Sequence, residues 1–219
     1  MKVRTKLDTS KGRVFFCSDL HLGHSNILTL NKDSRSRWKT IEEMNTFLED
    51  NVWGKLDYND TLIDLGDTFW KMETDRLAEI LCNCKGDLWK VMGNHDAYGL
   101  YYPPQQPLRE YYSVLGDVLD INILHEGKEY MLTLDHYPKV SWNHKAYGSF
   151  MLHGHCHGNV DKFNEDCPDL RVDVGLDASL CKSLGGSVML EFSQILDYFK
   201  NKIGGDDFRN YVKNHRYNL

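Results

Sequence analysis

The sequence predicts a mixed α/β sandwich, and two patterns lead to that fold class. In the first half, short apolar strands alternate with helical segments, an order typical of parallel strands joined by helical crossovers. In the second half, residues 117–134 alternate in polarity around Glu126–Gly127 and predict a β-hairpin, which pairs antiparallel. With 219 residues, 41% of them hydrophobic, the chain is long enough to bury a core as one domain.

The elements of the first half follow from simple residue patterns. Aromatic and branched residues dominate the three predicted strands, which are 13–18, 61–65 and 87–92. A helix is predicted at 40–56, because Thr40 and Glu43 form a capping box and apolar residues follow at helical spacing. A second helix is predicted at 74–83, with its apolar residues on one side.

The second half starts with a different composition. Residues 98–107 contain three prolines and three tyrosines, which is typical of a rigid aromatic surface loop. Beyond the hairpin, strands are predicted at 149–153 and 169–174, and a helix at 192–202. Gly204–Gly205 then precedes a polar tail, for which the sequence favours a short helix or partial disorder.

Charge and composition exclude several kinds of partner. The net charge is −6 and no long block of like charges occurs, so we expect no stable binding to duplex nucleic acid. No apolar run approaches the length of a membrane span, about 18 residues, so we expect no membrane partner. Six cysteines without a C-x-x-C spacing indicate reduced thiols, and we expect a cytoplasmic protein.

Metal-ligand and proton-transfer residue types follow five of the predicted strands, at the point where each strand ends. In chain order they are Asp19 with His21, Asp67, Asn94 with His95 and Asp96, His136, and His155 with His157. In α/β sheets, ligands bind in the crevice outside the carboxyl ends of the strands. We therefore expect these side chains to converge on one site.

These residue types predict a site for two metal ions. In Asp19-x-His21 and His155-x-His157, a period of two lets both side chains of a pair point the same way from an extended segment. Carboxylate, imidazole and amide ligands without an obligatory thiolate suit manganese, iron, zinc or nickel. Seven ligand groups are too many for one ion and fit two ions that share a carboxylate. Two such ions can clamp a phosphoryl group and hold a bridging hydroxide for in-line attack.

The ordered set of motifs resembles the calcineurin-like metallophosphoesterases. Five blocks occur in that family's order within 13–175: D-x-H at 19–21, G-D at 66–67, G-N-H-D at 93–96, H-x-P at 136–138 and G-H-x-H at 154–157. The strings FCSDLHLGHSNIL and RVDVGLDA are similar to the small bacterial and phage-type branch. The resemblance implies a four-layer fold, in which two mixed β-sheets pack as a sandwich flanked by helices. It also implies a single domain over 1–219, with a C-terminal helix and polar tail at 192–219.

The same resemblance implies a role for each motif residue. It implies two divalent ions per chain, the first held by Asp19, His21, Asp67 and His157 and the second by Asp67, Asn94, His136 and His155. Asp67 is the expected bridge, and manganese is the expected metal, with iron, zinc and nickel as alternatives. His95 matches the residue that contacts the scissile phosphate and protonates the leaving oxygen, with Asp96 orienting it. Asn94, His95 and His24 are the expected contacts to the substrate.

Residues around the motifs receive a structural interpretation. Cys156 is expected to point away from the ions because of strand alternation. Asp135 stands where a small or hydroxyl residue is expected before the ligand His136, so the surroundings of that ligand are expected to differ from the family's. Asp173 and Asp177 are expected to support the fold near the site rather than to bind metal.

Basic and aromatic clusters near the motifs are also interpreted as structural. Arg35, Arg37 and Lys39 lie around Trp38 and are interpreted as a solvated helix entry, with phosphate steering as the alternative. Trp142–Asn143 and Tyr98–Tyr102 are interpreted as packing, with a base-stacking wall as the alternative.

These observations predict a dinuclear metal-dependent phosphoesterase that hydrolyses phosphodiester bonds of nucleotide or cyclic-nucleotide type. We expect the substrate to be a small phosphodiester for two reasons. A single compact domain lacks large specificity inserts, and aromatic residues near the motifs can receive a base. A phosphomonoesterase or protein phosphatase is the alternative among enzymes. A non-catalytic metal-binding scaffold of the same fold is the alternative outside them. The oligomeric state does not follow from the sequence.

Overall fold

Ten β-strands form two five-stranded sheets in the part of the chain that the computed structural model describes, residues 5–70, 72–96 and 108–215. In chain order the strands are β1 (Thr5–Asp8), β2 (Val14–Cys17), β3 (Thr61–Asp64), β4 (Asp87–Val91), β5 (Tyr112–Gly116), β6 (Val118–His125), β7 (Lys128–Asp135), β8 (Phe150–His153), β9 (Arg171–Asp173) and β10 (Leu190–Glu191).

The α-helices of the described residues connect these strands. They are α1 (Ile27–Leu30), α2 (Lys32–Arg35), α3 (Ile41–Asn51), α4 (Thr74–Leu81), α5 (Leu108–Tyr111), α6 (Asp161–Asp166), α7 (Ser179–Ser183), α8 (Phe192–Ile203) and α9 (Phe208–His215). Helix α3 begins as predicted, because Thr40 Oγ1 accepts a hydrogen bond from the Glu43 amide at 3.2 Å. It ends earlier than predicted, at Asn51, and a 3₁₀ turn over Trp53–Lys55 follows.

The first sheet has the strand order β10-β2-β3-β4-β5. Strands β2 to β5 run parallel, and the short β10 pairs antiparallel with β2 at the edge. All four residues of β2 and all four of β3 are buried, as expected for central parallel strands that are covered on both faces. The parallel pairing predicted for the first half of the chain is therefore confirmed.

The second sheet has the strand order β1-β6-β7-β8-β9. Strands β6 and β7 form the predicted antiparallel hairpin, with a turn in which Glu126 and Gly127 have φ of 50° and 76°. Strands β8 and β9 continue the sheet in parallel from β7, and β1 pairs in parallel with β6. Both sheets are thus mixed.

Two apolar layers hold the sheets and helices together. Between the sheets, Phe16 and Ile63 belong to one buried cluster with Leu134 and Leu152, and helix α8 adds its apolar face to it. On the other face of the first sheet, the helices α3 and α4 cover strands β2 and β3 with a second buried cluster. The predicted sandwich of two mixed sheets flanked by helices is therefore confirmed.

Short elements are the main difference from the predicted organisation. Strands β1 and β5 and helices α1, α2, α6 and α7 are four to six residues long, too short for a hydrophobic period to be visible. Helix α9 forms within the predicted polar tail. The aromatic loop predicted at 98–107 lies outside the described residues. Among the described helices, none is both long and apolar enough for a membrane span.

Candidate metal centre

The predicted ligands lie on loops that leave the carboxyl ends of strands β2, β3, β4, β7 and β8. Five of them have a left-handed backbone, with φ of 56° at Asp19, 53° at His21, 56° at Asp67, 67° at His155 and 49° at His157. This conformation costs a non-glycine residue on the order of 1–3 kcal/mol, and it concentrates at functional sites. The expectation that Asp19-x-His21 and His155-x-His157 project from extended segments is wrong, because residues with a left-handed backbone interrupt the extended conformation.

Asp19, His21 and His157 form the first cluster. One potential ligand atom from each lies within 4.8 Å of the others. Asp19 Oδ1 is 3.9 Å from His21 Nε2 and 3.7 Å from His157 Nε2. Burial, followed by the positive charge of Arg35, lowers the pKa of His21 to about 3, so the ring is the neutral imidazole that binds metals.

Asp19, Asp67 and His136 form the second cluster, again with ligand atoms within 4.8 Å of one another. His136 Nδ1 donates to the Leu65 carbonyl at 2.8 Å, which leaves Nε2 to face Asp67 Oδ2 at 3.4 Å. Asp19 is therefore the residue that both clusters share. The prediction that Asp67 bridges the two ions stays a prediction.

The two other predicted ligands border the second cluster. Asn94 Oδ1 lies 3.0 Å from His136 Nε2. The His155 ring lies with its centroid 5.1 Å from that of His136. Among the described residues, His155 belongs to neither cluster in this arrangement.

The predicted substrate-contacting histidines line the open side of the centre. His95 Nε2 is 3.8 Å from Asp67 Oδ2, and the His95 side chain is 41% exposed. His24 packs on Trp70 with ring centroids 4.3 Å apart and lies 5.7 Å from His21. Trp70 also packs edge-on against His95, with centroids 4.5 Å apart.

Buried atoms of the first cluster fit a divalent cation. Asp19 Oδ1 and both ring nitrogens of His21 are buried, and none has a hydrogen-bond partner within the described ranges. A buried polar atom without a partner costs about 1–3 kcal/mol. Coordination to a metal ion removes that cost, and carboxylate oxygens and imidazole nitrogens are suitable ligands. The residues present therefore fit metal binding.

A buried ion pair between Arg35 and Asp177 supports the first cluster. Arg35 Nη2 donates to the Asp19 carbonyl at 2.6 Å and to Asp177 Oδ2 at 2.8 Å. Asp177 Oδ2 also accepts from His157 Nδ1 at 2.7 Å, which leaves His157 Nε2 to face Asp19. Asp177 thus supports the site, as predicted. The interpretation of Arg35 as part of a solvated helix entry is wrong, because its side chain is fully buried.

A fully buried lysine lies beneath the second cluster. Lys90 Nζ is 2.9 Å from Asp64 Oδ2 and 3.2 Å from Asp96 Oδ2. It also donates to Thr68 Oγ1 at 2.7 Å. Because the Lys90 side chain is fully buried, its positive charge is compensated by these two carboxylates and not by water.

Asp96 joins the loops that follow strands β3 and β4. Its Oδ2 accepts from the backbone amides of Asp67 at 2.9 Å and Gly93 at 2.8 Å. The His95 amide in turn donates to Asp67 Oδ1 at 2.8 Å. These contacts fix the Asp67 carboxylate through the backbone. The prediction that Asp96 orients the His95 ring stays a prediction.

Two glycines allow the backbone to approach the ligand carboxylates. A β-carbon built on Gly93 would overlap the Asp67 carboxylate, and one built on Gly154 would overlap Asp19 and Ser18. Only glycine leaves room for these carboxylates where they stand.

The remaining structural interpretations have mixed outcomes. Burial, followed by the negative charges of Asp173 and Asp19, raises the pKa of Cys156 to about 11. The expectation that Cys156 points away from the ions stays a prediction. Trp142 Nε1 donates to Ser149 Oγ at 3.0 Å, and the interpretation of Trp142–Asn143 as packing stays a prediction. The segment Tyr98–Tyr102 lies outside the described residues.

Two aromatic residues at the centre are missing from the sequence prediction. Trp70 lies against His95, and Tyr137 lies against His155 with ring centroids 4.5 Å apart. The sequence offers one signal for these two residues, which is their closeness to motif residues. Tyr137 directly follows His136, and Trp70 is three residues beyond Asp67.

Comparisons with known proteins identify the family. Residues 12–218 match the family model of the calcineurin-like phosphoesterases, and the chain belongs to that family. The gene 66 protein of Mycobacterium phage D29 is 26% identical over 184 residues, which cover 75% of this chain and 88% of that protein. This relative is consistent with the predicted phage-type branch. A crystal structure of a protein of unknown function from Aquifex aeolicus shares the fold at 24% identity, with a TM-score of 0.59 over 85% of this chain and 98% of that one.

Family and site together define the class of the protein. The family is one of phosphoesterases, and the two clusters offer carboxylate and imidazole ligands for divalent metal. The chain is therefore a metal-dependent phosphoesterase, and the resemblance seen in the sequence is confirmed.

Proposed function

We propose that this phosphoesterase hydrolyses phosphodiesters of nucleotide or cyclic-nucleotide type with two divalent ions, manganese being the expected metal. One observation carries the proposal: two ligand clusters share Asp19 and lie on strained, left-handed loops at the ends of the strands. When bound, the ions supply positive charge for the phosphoryl oxygens and activate the water that attacks phosphorus.

The chain's own contribution begins with the orientation of its imidazoles. His157 and His136 each donate a Nδ1 proton, to Asp177 and to the Leu65 carbonyl respectively. Each ring therefore presents Nε2 to the centre. Asn94 and His155 are the further ligands that we propose for the ion on the His136 side, because both lie beside that ring.

His95 is the residue that we propose to protonate the leaving oxygen. Its side chain is 41% exposed beside the clusters, and its backbone is fixed by the hydrogen bond to Asp67. A departing alkoxide needs a proton, and an imidazole is suited to supply it near neutral pH. Asp96 accepts a hydrogen bond from the Asp67 amide. It thereby fixes the loop that carries the Asp67 carboxylate, to which the His95 amide donates.

A diester is favoured over a monoester by the aromatic residues beside the centre. Trp70 packs with His95, whereas Tyr137 packs with His155 and His136. A diester has two ester arms that can contact two such surfaces, and a monoester has only one. Hydrolysis of monoesters is the second candidate and is tested beside the first.

The test uses chromogenic esters with apoprotein reloaded with manganese. We expect turnover of bis(para-nitrophenyl) phosphate and less of para-nitrophenyl phosphate. Turnover of the monoester alone would instead define a phosphatase. Two bound ions without turnover of either ester would favour a non-catalytic scaffold.

His95→Ala tests the proposed proton donor. We expect kcat for a cyclic nucleotide to fall about 100- to 10,000-fold, because its alkoxide leaving group needs a proton. The loss should be smaller for the para-nitrophenyl diester, whose leaving group needs little protonation. Manganese binding, measured by calorimetry, should be retained. His125→Ala is the matched control, since that histidine contacts Thr9 rather than the centre. Equal losses with both substrates would contradict the assignment.

A further inference from the structure

A groove of about 470 Å³ opens beside the candidate metal centre. It is lined by Met92, Gly93, Asn94, Asp117, Val118, Asp135, Tyr137 and Lys139. Because Gly93 and Asn94 border both the groove and the second cluster, a molecule whose phosphate reaches the centre can extend into it. The volume is within the range of small-molecule sites, about 300–1,000 Å³.

The groove combines an exposed aromatic ring with an apolar surface. Tyr137 is 43% exposed, yet its ring is held at one side by His155, with centroids 4.5 Å apart, and by His136 at 5.2 Å. Val118, 48% exposed, and Met92 add apolar surface. A ring held in place at a cavity provides a stacking surface for another flat ring.

The charges of the groove favour a neutral occupant. Lys139 Nζ pairs with Asp135 Oδ2 at 2.6 Å, so its charge is compensated. Asp117 is exposed and adds a further negative charge. A second phosphate or another anion would be repelled here, whereas a nucleobase is flat, neutral and hydrogen-bonding.

The ring contacts also indicate which part of the substrate enters the groove. His95, the proposed proton donor, packs with Trp70 and His21, so the leaving arm belongs on that side. Tyr137 packs with the histidines of the other side. We propose that the Tyr137 groove binds the nucleoside arm that stays on phosphorus, and that Tyr137 stacks on its base. This inference rests on the proposed phosphodiesterase function and specifies its substrate class.

Two diesters with the same leaving group test the groove. They are the para-nitrophenyl ester of thymidine monophosphate and para-nitrophenyl ethyl phosphate, which differ only in the retained arm. In both, water oxygen bonds to phosphorus as the bond to the phenolate oxygen breaks, one water proton is released, and the retained arm leaves as a monoester. The shared leaving group makes the ratio of the two kcat/KM values report on the retained arm.

We expect the wild-type protein to favour the thymidine ester about five- to hundredfold, the range of base stacking on an aromatic side chain. Tyr137→Ala should bring the ratio close to one, and Tyr137→Phe should keep it. Structural damage to the neighbouring His136 would lower both rates together and leave the ratio unchanged. A wild-type ratio near one, or a ratio that Tyr137→Ala does not alter, would overturn the inference while leaving the phosphodiesterase function intact.

Absence of turnover with both esters would instead count against the proposed function. In that case, a binding measurement tests the groove as a nucleoside site independently of catalysis. Calorimetry of the manganese-loaded protein would compare thymidine monophosphate with ethyl phosphate. Tighter binding of the nucleotide that Tyr137→Ala abolishes and Tyr137→Phe retains supports the groove as a nucleoside site. Equal affinities overturn it.

Discussion

The two ligand clusters are supported in different ways. Arg35 and Asp177, which support the first cluster, are 142 positions apart in the chain and meet only in the folded protein. Asp64 and Lys90, which support the second, are register partners on the adjacent strands β3 and β4. The first support depends on tertiary packing of helix α2, whereas the second is built into the pairing of the central sheet.

The histidines of the clusters show the same contrast. His157 is oriented by a side chain, the carboxylate of Asp177. His136 is oriented by a backbone carbonyl, that of Leu65. A point mutation can remove the first partner and cannot remove the second. The two halves of the centre should therefore differ in their response to mutation.

Lys90→Met should produce the largest effect, on stability. It leaves Asp64 and Asp96 buried without their cation, and breaking a buried charge pair in this way costs about 3–5 kcal/mol. Urea unfolding of the metal-free protein measures the loss. Lys162→Met is the control, since that side chain is largely exposed and pairs with Asp166 on the surface. Equal free energies of unfolding for the two variants would show that the buried pairs of Lys90 do not stabilise the fold.

Asp177→Asn should weaken the first cluster more than the second, because it removes the partner of His157 and leaves His136 with its own partner. Loss of the carboxylate that orients a metal-binding histidine typically weakens metal affinity about 10- to 100-fold. Calorimetric titration with manganese should show one site weakened clearly more than the other. Ser34→Ala is the matched control, because Ser34 donates to the other oxygen of the same carboxylate and its loss leaves the contact with His157 in place. Equal weakening of both sites would show that the two supports are not separable.

The sequence predicts the elements that carry a local signal. The hairpin of β6 and β7 has a long alternation and a turn at Glu126–Gly127, and helix α3 has a capping box, so both follow from neighbouring residues. The candidate ligands follow from residue type at strand ends. Short elements such as α2 span about one turn and leave no period to detect.

The supports of the site have no such signal. No local pattern around Arg35 shows that its guanidinium is buried against Asp19 and Asp177, because Asp19 lies in a separate loop 16 positions away and Asp177 lies 142 positions away. The left-handed conformation of Asp19 and His21 is likewise set by the loop's contacts, for example the Asp19 amide with the Gly66 carbonyl. The types of the candidate ligand residues can therefore be predicted from the sequence. Their positions cannot, because tertiary contacts set them.

Thr40→Ala should have the smallest effect of the three variants on the protein. It tests whether a loss of folding stability alone changes manganese binding at the two clusters. It removes the N-cap of helix α3, which costs about 1 kcal/mol. Thr46→Ala, an exposed position inside the same helix, makes the same substitution without losing a cap and should be neutral or slightly stabilising. Because Thr40 contacts neither cluster, both manganese affinities should stay at wild-type values while urea unfolding shifts. A weakened manganese site in Thr40→Ala would mean that global stability and metal binding are coupled, and the differences expected for Lys90→Met and Asp177→Asn could then no longer be assigned to the separate supports.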